Sequence, residues 1–194
     1  PNVSAGVISG TSPLCLNGTA TYSSTGTTGG TWSSSNTAFA NVNPTTGLVT
    51  TVAAGSCNII YTVSAGCNSP VSTQFALTVV APATSNAGPD TTTCGTTPVA
   101  LAAVGTGTWS GGLGTFSNVN SNTSTYAPAA GEVGSIVTLI WTVTSTAPCP
   151  NATDQMTVTV QNNGEINVRG NFISIVDGDM APDLTDHTDF GSVP

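Results

Sequence analysis

The segment Gly29-Gly30-Thr31-Trp32-Ser33-Ser34 returns, slightly altered, as Thr106-Gly107-Thr108-Trp109-Ser110-Gly111. Trp32 and Trp109 lie 77 positions apart, the Tyr61-Thr62-Val63 and Trp141-Thr142-Val143 triplets 80, and Cys15 and Cys94 79. Landmarks that keep nearly one offset over a domain length indicate whole modules in series, since solenoid repeats recur at roughly 20 to 50 residues. The 194 residues are therefore expected to hold one module in residues 1–80, a second in 84–160 and a remainder. The linker Ala81-Pro82-Ala83 is too short for the modules to tumble freely.

An all-β chain is expected. Val, Ile, Thr, Tyr and Trp alternate with polar residues between Gly, Asn and Pro, and no 3.6-residue apolar period lasts for a helical length. Expected strands include Gly30 to Ser34, carrying Trp32, and the hairpin Ala38 to Val42 and Leu48 to Val52. In its turn, Asn43-Pro44-Thr45-Thr46-Gly47, Pro presets φ and Gly supplies the positive-φ position. Cys57, Ile59, Tyr61 and Val63 share one face of a strand, and Phe75, Leu77 and Val79 alternate in the closing one, which gives two antiparallel sheets an apolar interior. The second module repeats this with Val99, Leu101, Trp109, the Val137, Leu139, Trp141, Val143 face, and Met156, Val158, Val160. The expected fold class is thus tandem antiparallel β-sandwiches with almost no helix.

Charge excludes several functions. Only 5% of residues are charged, the net charge is −8, and Arg169 is the one Lys or Arg. Phosphate backbones are bound by clustered Lys and Arg, so nucleic acid is not an expected partner. The longest apolar run, Ile136 to Val143, is far below the roughly 20 residues of a spanning helix, so no membrane span is expected in this segment. The chain begins in strand-like sequence without a signal peptide and is read as a mature or excised piece. Residues 165–194 hold six of the nine acidic residues and are expected to be the truncated start of a third β module.

Five cysteines in a small-module chain point to disulfides and an oxidising compartment. Cys15 aligns with Cys94 and Cys67 with Cys149 in the repeat, whereas Cys57 aligns with Val137. The expected bridges are Cys15 with Cys67 and Cys94 with Cys149, each closing a loop of about 50 residues for about 4 kcal/mol. Cys57, standing where its counterpart is an inward Val, is expected to be a buried free thiol. The other reading pairs it with Cys15 or Cys67. Zinc is not expected, since no two cysteines have CxxC spacing and the one histidine, His187, is remote from them.

Several stretches resemble known families. Val7-Ile8-Ser9-Gly10-Thr11 with Leu14-Cys15, then Gly30-Thr31-Trp32-Ser33-Ser34-Ser35-Asn36, Val42-Asn43-Pro44-Thr45-Thr46-Gly47-Leu48-Val49-Thr50 and Ala54-Gly55, resemble the bacterial Ig-like (group 2) repeats of Bacteroidetes surface proteins. Asn86-Ala87-Gly88-Pro89-Asp90 with Cys94-Gly95 and Val99-Ala100-Leu101 is similar to the PKD/Ig-like repeats of gliding-motility-associated adhesins. Ile166-Asn167-Val168-Arg169-Gly170-Asn171, Ile175-Val176-Asp177-Gly178-Asp179 and Thr188-Asp189-Phe190-Gly191 resemble the start of a Hydin-like choice-of-anchor D module. The resemblance implies an extracellular, cell-surface protein exported by type IX secretion. It transfers no binding or catalytic residue.

The one candidate metal site is the acidic run Asp177, Asp179, Asp183, Asp186 and Asp189, where carboxylates alternating with turn residues can wrap Ca2+; the other reading is a solvated polar loop. Asp90-Thr91-Thr92 resembles a short bacterial O-glycosylation motif, which makes Thr91 the candidate glycosylation site of a glycoprotein. No nucleophile and base are marked by spacing, so no enzyme is expected and no catalytic residue is assigned. Trp32, Trp109, Trp141, Tyr61 and Tyr126 read either as core residues or as a platform for stacking sugars. Function is expected to be structural, a non-catalytic stalk or repeat segment of a secreted adhesin or filament whose partners are neighbouring Ig-like modules. The alternative is a glycan- or protein-binding role, accessory to a larger secreted protein or enzyme. A third possibility is strand addition from the third module to a neighbouring subunit, forming a filament.

Overall fold

The computed structural model describes residues 2–162 and, for the backbone, the short antiparallel pair Arg169–Gly170 and Ile173–Ser174. In chain order the first half comprises β1 (Ile8–Ser9), β2 (Leu14–Cys15), β3 (Thr19–Thr21), β4 (Ser23–Ser24), β5 (Thr31–Ser34), β6 (Ala40–Val42), β7 (Leu48–Thr51), β8 (Gly55–Val63) and β9 (Val71–Val80). The second comprises β10 (Thr91–Cys94), β11 (Val99–Ala100), β12 (Thr108–Gly111), β13 (Thr115–Phe116), β14 (Thr125–Ala127), β15 (Ile136–Val143) and β16 (Ala152–Gln161). A 3-10 turn at Ala130–Glu132 is the one helical element among the described residues.

Both halves are β-sandwiches with one wiring. The four-stranded sheets run β2-β9-β8-β5 and β10-β16-β15-β12, and the three-stranded sheets β3-β7-β6 and β11-β14-β13. Matched position for position, each strand of the first half has its counterpart in the second, with β1-β4 as an added pair. The long hairpins β8-β9 and β15-β16 are antiparallel, as the alternation in sequence predicts. One edge pair in each sandwich is parallel, however: β2 with β9 and β10 with β16. The first edge strand therefore runs in the same direction as the last strand, toward the exit of its sandwich.

Alternation fills the interior as expected. Cys57, Ile59, Tyr61, Val63, Leu77 and Val79 join Trp32 in one buried cluster, and Leu101, Trp109, Val137, Leu139, Trp141, Met156, Val158 and Val160 form a second. The repeated Gly-Thr-Trp is explained by the strand pairing. Trp32 faces Tyr61 across β5 and β8, with ring centroids 4.8 Å apart, and Trp109 faces Trp141 across β12 and β15 at 5.0 Å. Such tilted aromatic pairs add roughly 1 kcal/mol beyond their buried area. The glycine two residues before each tryptophan lies under the cross-strand ring. A Cβ on Gly30 would stand 2.5 Å from Tyr61 Cζ, and one on Gly107 2.7 Å from Trp141 Cε2.

The hairpin turn also matches its sequence. Asn43 Oδ1 accepts hydrogen bonds from the backbone N–H of Thr45 and Thr46 at 3.0 Å, and Gly47 takes φ 70°. Every buried side-chain N or O among the described residues has a hydrogen-bond partner.

Candidate functional site at the module junction

The two sandwiches meet where β9 ends. Cys15 stands opposite Val80 in the parallel pair, and Leu16 N donates to Val80 O at 2.8 Å. Beyond Val80, the backbone N–H of Ala83 donates to Ser145 Oγ at 2.9 Å, in the loop between β15 and β16. The same loop carries Cys149, braced by Cys149 N donating to Thr146 O at 3.1 Å and by Ser145 N donating to Asn151 Oδ1 at 3.2 Å. Further along, Ser85 Oγ donates to Trp141 O at 2.8 Å, and Ala87 N to Asp154 Oδ2 at 2.8 Å. The linker is thus tied to the second sandwich almost from its start.

A disulfide closes the junction. Cys15 and Cys149 are bonded, with Cα atoms 5.0 Å apart and a sequence separation of 134. Cys149 is buried, with its sulfur 3.3 Å from Val80 O at the end of β9. This corrects the expected pairings Cys15 with Cys67 and Cys94 with Cys149. Cys67 lies in the loop between β8 and β9, at the Val71 end, whereas Cys15 lies beside Val80. Nine residue steps at about 3.4 Å put those ends about 30 Å apart, against the 4.4 to 6.8 Å that a disulfide spans. Cys94 pairs with Gln161 at the far end of β16 from Cys149, so the second expected bridge fails for the same reason. In a wholly antiparallel sheet β2 would run toward the Val71 end and Cys67. The parallel edge reverses that.

The remaining cysteines are free thiols. Cys57 is buried in the first core, and Cys67 and Cys94 are exposed. Burial, with Cys57 close by, pushes the Tyr22 phenol up to about 12, while its hydroxyl donates to Thr11 O at 2.6 Å.

Among the described residues no three His, Cys, Asp or Glu side chains gather as metal ligands. Asp177, Asp179, Asp183, Asp186, Asp189 and His187 lie outside the described residues, as does the expected third module apart from the pair Arg169–Gly170 and Ile173–Ser174. Thr91 is half-buried in β10 opposite Val158. Trp32, Trp109, Trp141, Tyr61 and Tyr126 are all buried, so they do not present an open platform for sugars. A recess of ≈ 500 Å3 is lined by Thr28 to Trp32, Pro44, Thr45 and Tyr61.

One charged residue escaped the sequence reading. Glu132 is buried, and its carboxylate accepts hydrogen bonds from Leu113 N at 2.6 Å, Ala129 N at 2.8 Å and the Tyr126 hydroxyl at 2.8 Å. Burial alone pushes its pKa up, but the donors from Leu113, Ala129, Tyr126 and Gly114 together outweigh burial and hold the carboxyl below the usual range. Nothing in its spacing marks Glu132 as buried. Residues 2–162 contain two other carboxylates, Asp90 and Asp154, and no Lys, Arg or His. Asp90 Oδ1 accepts from Thr157 N at 2.7 Å and Asp154 from Ala87 N. All three anions are engaged in backbone bonding.

Residues 14–72 match the bacterial Ig-like domain (group 2). That match covers most of the first sandwich. No curated protein matches the chain by sequence. Similar solved structures include the insect immune protein hemolin, at 12% identity and TM-score 0.42 over 83% of this chain and 47% of that one. Extracellular domains 3–5 of Drosophila OTK match at 14% identity and TM-score 0.40, over 78% of this chain and 59% of theirs. A SusE-like surface-located polysaccharide-binding protein of Bacteroides thetaiotaomicron matches at 8% and TM-score 0.36, over 82% and 34%. The chain spans a third to three-fifths of the length of these proteins.

Proposed function

We propose that residues 1–80 and 84–160 are two Ig-like modules of a non-catalytic stalk segment in an extracellular surface protein, with residues 165–194 opening a further module. The observation that carries this reading is the Cys15–Cys149 bridge, which belongs to neither sandwich alone and fixes one to the next. A covalent tie between adjacent modules serves spacing and stiffness. It also supports an oxidising, extracellular location.

The surface supports the same reading. With three engaged carboxylates and no cationic side chain in residues 2–162, the Thr, Ser and Asn exterior has little means of attracting a charged partner. Burial of all three tryptophans weakens the case for glycan stacking, the alternative reading.

Small-angle scattering tests the stalk. Two sandwiches whose long strands span ten residues, about 34 Å each, set end to end are expected to give an elongated particle whose longest dimension holds at high dilution. After reduction the distribution is expected to broaden as the joint begins to bend. A compact particle unaffected by reduction would count against the proposal, and saturable binding to a glycan array would favour the binding role.

A further inference from the structure

No residue before Asp90 carries a charged side chain, and two of the three carboxylates in residues 2–162 grip the segment that follows the linker. Asp154 Oδ2 accepts from Ala87 N at 2.8 Å, and Asp90 Oδ1 from Thr157 N at 2.7 Å. Hydrogen bonds to an ionised acceptor are roughly twice as strong as neutral ones. Asp154 stands in β16 opposite Trp141, whereas the matching position of the first sandwich, opposite Tyr61, holds the neutral Thr73. The backbone turn is nevertheless the same in both. Asn86-Ala87-Gly88 and Ser4-Ala5-Gly6 each bury the alanine, place the glycine at positive φ and bond its N–H to the side chain two residues earlier. The sandwich therefore builds this turn without a carboxylate, and the turn alone does not explain Asp154.

The linker does. On its near side β9 carries the chain as far as Val80 within the first sandwich. On its far side Ala83 N donates to Ser145 Oγ, Ser85 Oγ to Trp141 O, and Val104 N to Asn86 O at 2.9 Å. Gly88 lies so close to the second sandwich that a Cβ there would stand 2.6 Å from Ala102 O. Ala81 and Pro82, both exposed, are left between the two bodies. Proline fixes its own φ and restricts the residue ahead of it, so few backbone rotations remain at this hinge.

We infer that Asp154, supported by Asp90, is the positioning residue of the joint: it ends the hinge at Pro82 and fixes the direction in which the second sandwich leaves the first. The inference rests on the stalk reading above. It divides the work at the joint, with the Cys15–Cys149 bridge closing it and the carboxylates aiming it. Without Asp154, Ala83 and Ser85 are held by neutral side-chain bonds alone, and the hinge runs on toward Gly88.

The protein carries its own label sites for the test. Cys67 and Cys94 are exposed thiols at the far ends of the two sandwiches, and Cys57 is buried. With Cys15→Ser and Cys149→Ser removing the bridge, maleimide dyes on Cys67 and Cys94 report the distance across the joint by single-molecule energy transfer. That distance is expected to spread only slightly in the bridge-free chain. Asp154→Ala should shorten its mean and broaden it well beyond the parent, and Asp154→Asn, which keeps a carbonyl acceptor, should restore the narrow distribution. A second readout uses the bridged chain. In Asp154→Ala, hydrogen exchange of Ala87 N–H should quicken about tenfold or more, while Trp109 N–H, bonded to Val119 O at 2.7 Å, keeps its rate. An unchanged distance distribution, or exchange that quickens equally at Ala87 and Trp109, would overturn the inference. The stalk reading is judged separately: a short Cys67-to-Cys94 distance in the unaltered chain sinks it, whereas a long distance that Asp154→Ala leaves narrow overturns the positioning role alone.

Discussion

Cys15 and Cys149 are joined across the boundary between two sandwiches, although the repeat pairs neither residue with the other. The first sandwich is consequently held at both of its chain ends by the second, through the bridge and through the linker. Unfolding it must release a closed loop rather than a free chain. Replacing both residues, Cys15→Ser with Cys149→Ser, is expected to destabilise that sandwich by about 4 to 5 kcal/mol on the chain-entropy account. For a module of this size the midpoint falls by roughly 15 °C or more. Differential scanning calorimetry checks this: a midpoint that does not move would mean that the bridge constrains nothing.

Glu132 should control the acid side of stability. Its carboxyl is held below the usual range in the folded state, so the contribution is fully present above the unfolded value of about 4.3 and is lost as pH falls through the lower folded value. Glu132→Gln keeps the shape but removes the charge that accepts from Leu113, Ala129 and Tyr126. A loss of about 2 kcal/mol or more is expected at neutral pH, shrinking toward pH 3. Denaturant unfolding at several pH values decides it; equal losses at all of them would contradict the assignment.

Tyr22 gives the alkaline counterpart. Its phenol is pushed up to about 12 by burial and by the neighbouring Cys57, so the folded state holds the proton more tightly than the unfolded chain. Stability from this group is fully present below about 10 and lost as pH rises toward 12. Ultraviolet titration of the folded protein should show a late phenolate step that Tyr22→Phe removes.

Thiol labelling sorts the three free cysteines by position. Cys67 and Cys94 are expected to react with a maleimide in the native protein, and Cys57 after denaturation, since it lies in the core beside Ile59 and Leu77. Native labelling of Cys57 would mean that β8 opens readily.

Much of this architecture was legible because side-chain alternation reports which face is inside. The Trp32 to Tyr61 and Trp109 to Trp141 pairs follow from strands that each repeat keeps at one offset. The cysteines were aligned correctly for the same reason, yet paired wrongly. Alternation records the faces of a strand but not its direction, and the parallel course of β2 and β10 decides which end of the sandwich Cys15 and Cys94 reach. Glu132 was invisible for another reason. Its burial depends on backbone N–H groups at Leu113 and Ala129, and every residue type offers the same N–H.

The bridge at the joint has a mechanical consequence. Tension applied between Asn2 and Gln161 would travel through β2, cross the sulfur–sulfur bond and leave along β16, bypassing everything from Leu16 to Pro148. Those residues could unfold completely without lengthening the chain, so roughly 450 Å of contour stays locked away while the bond is intact. How far this segment can stretch is then decided by a reductant and not by the strength of either sandwich.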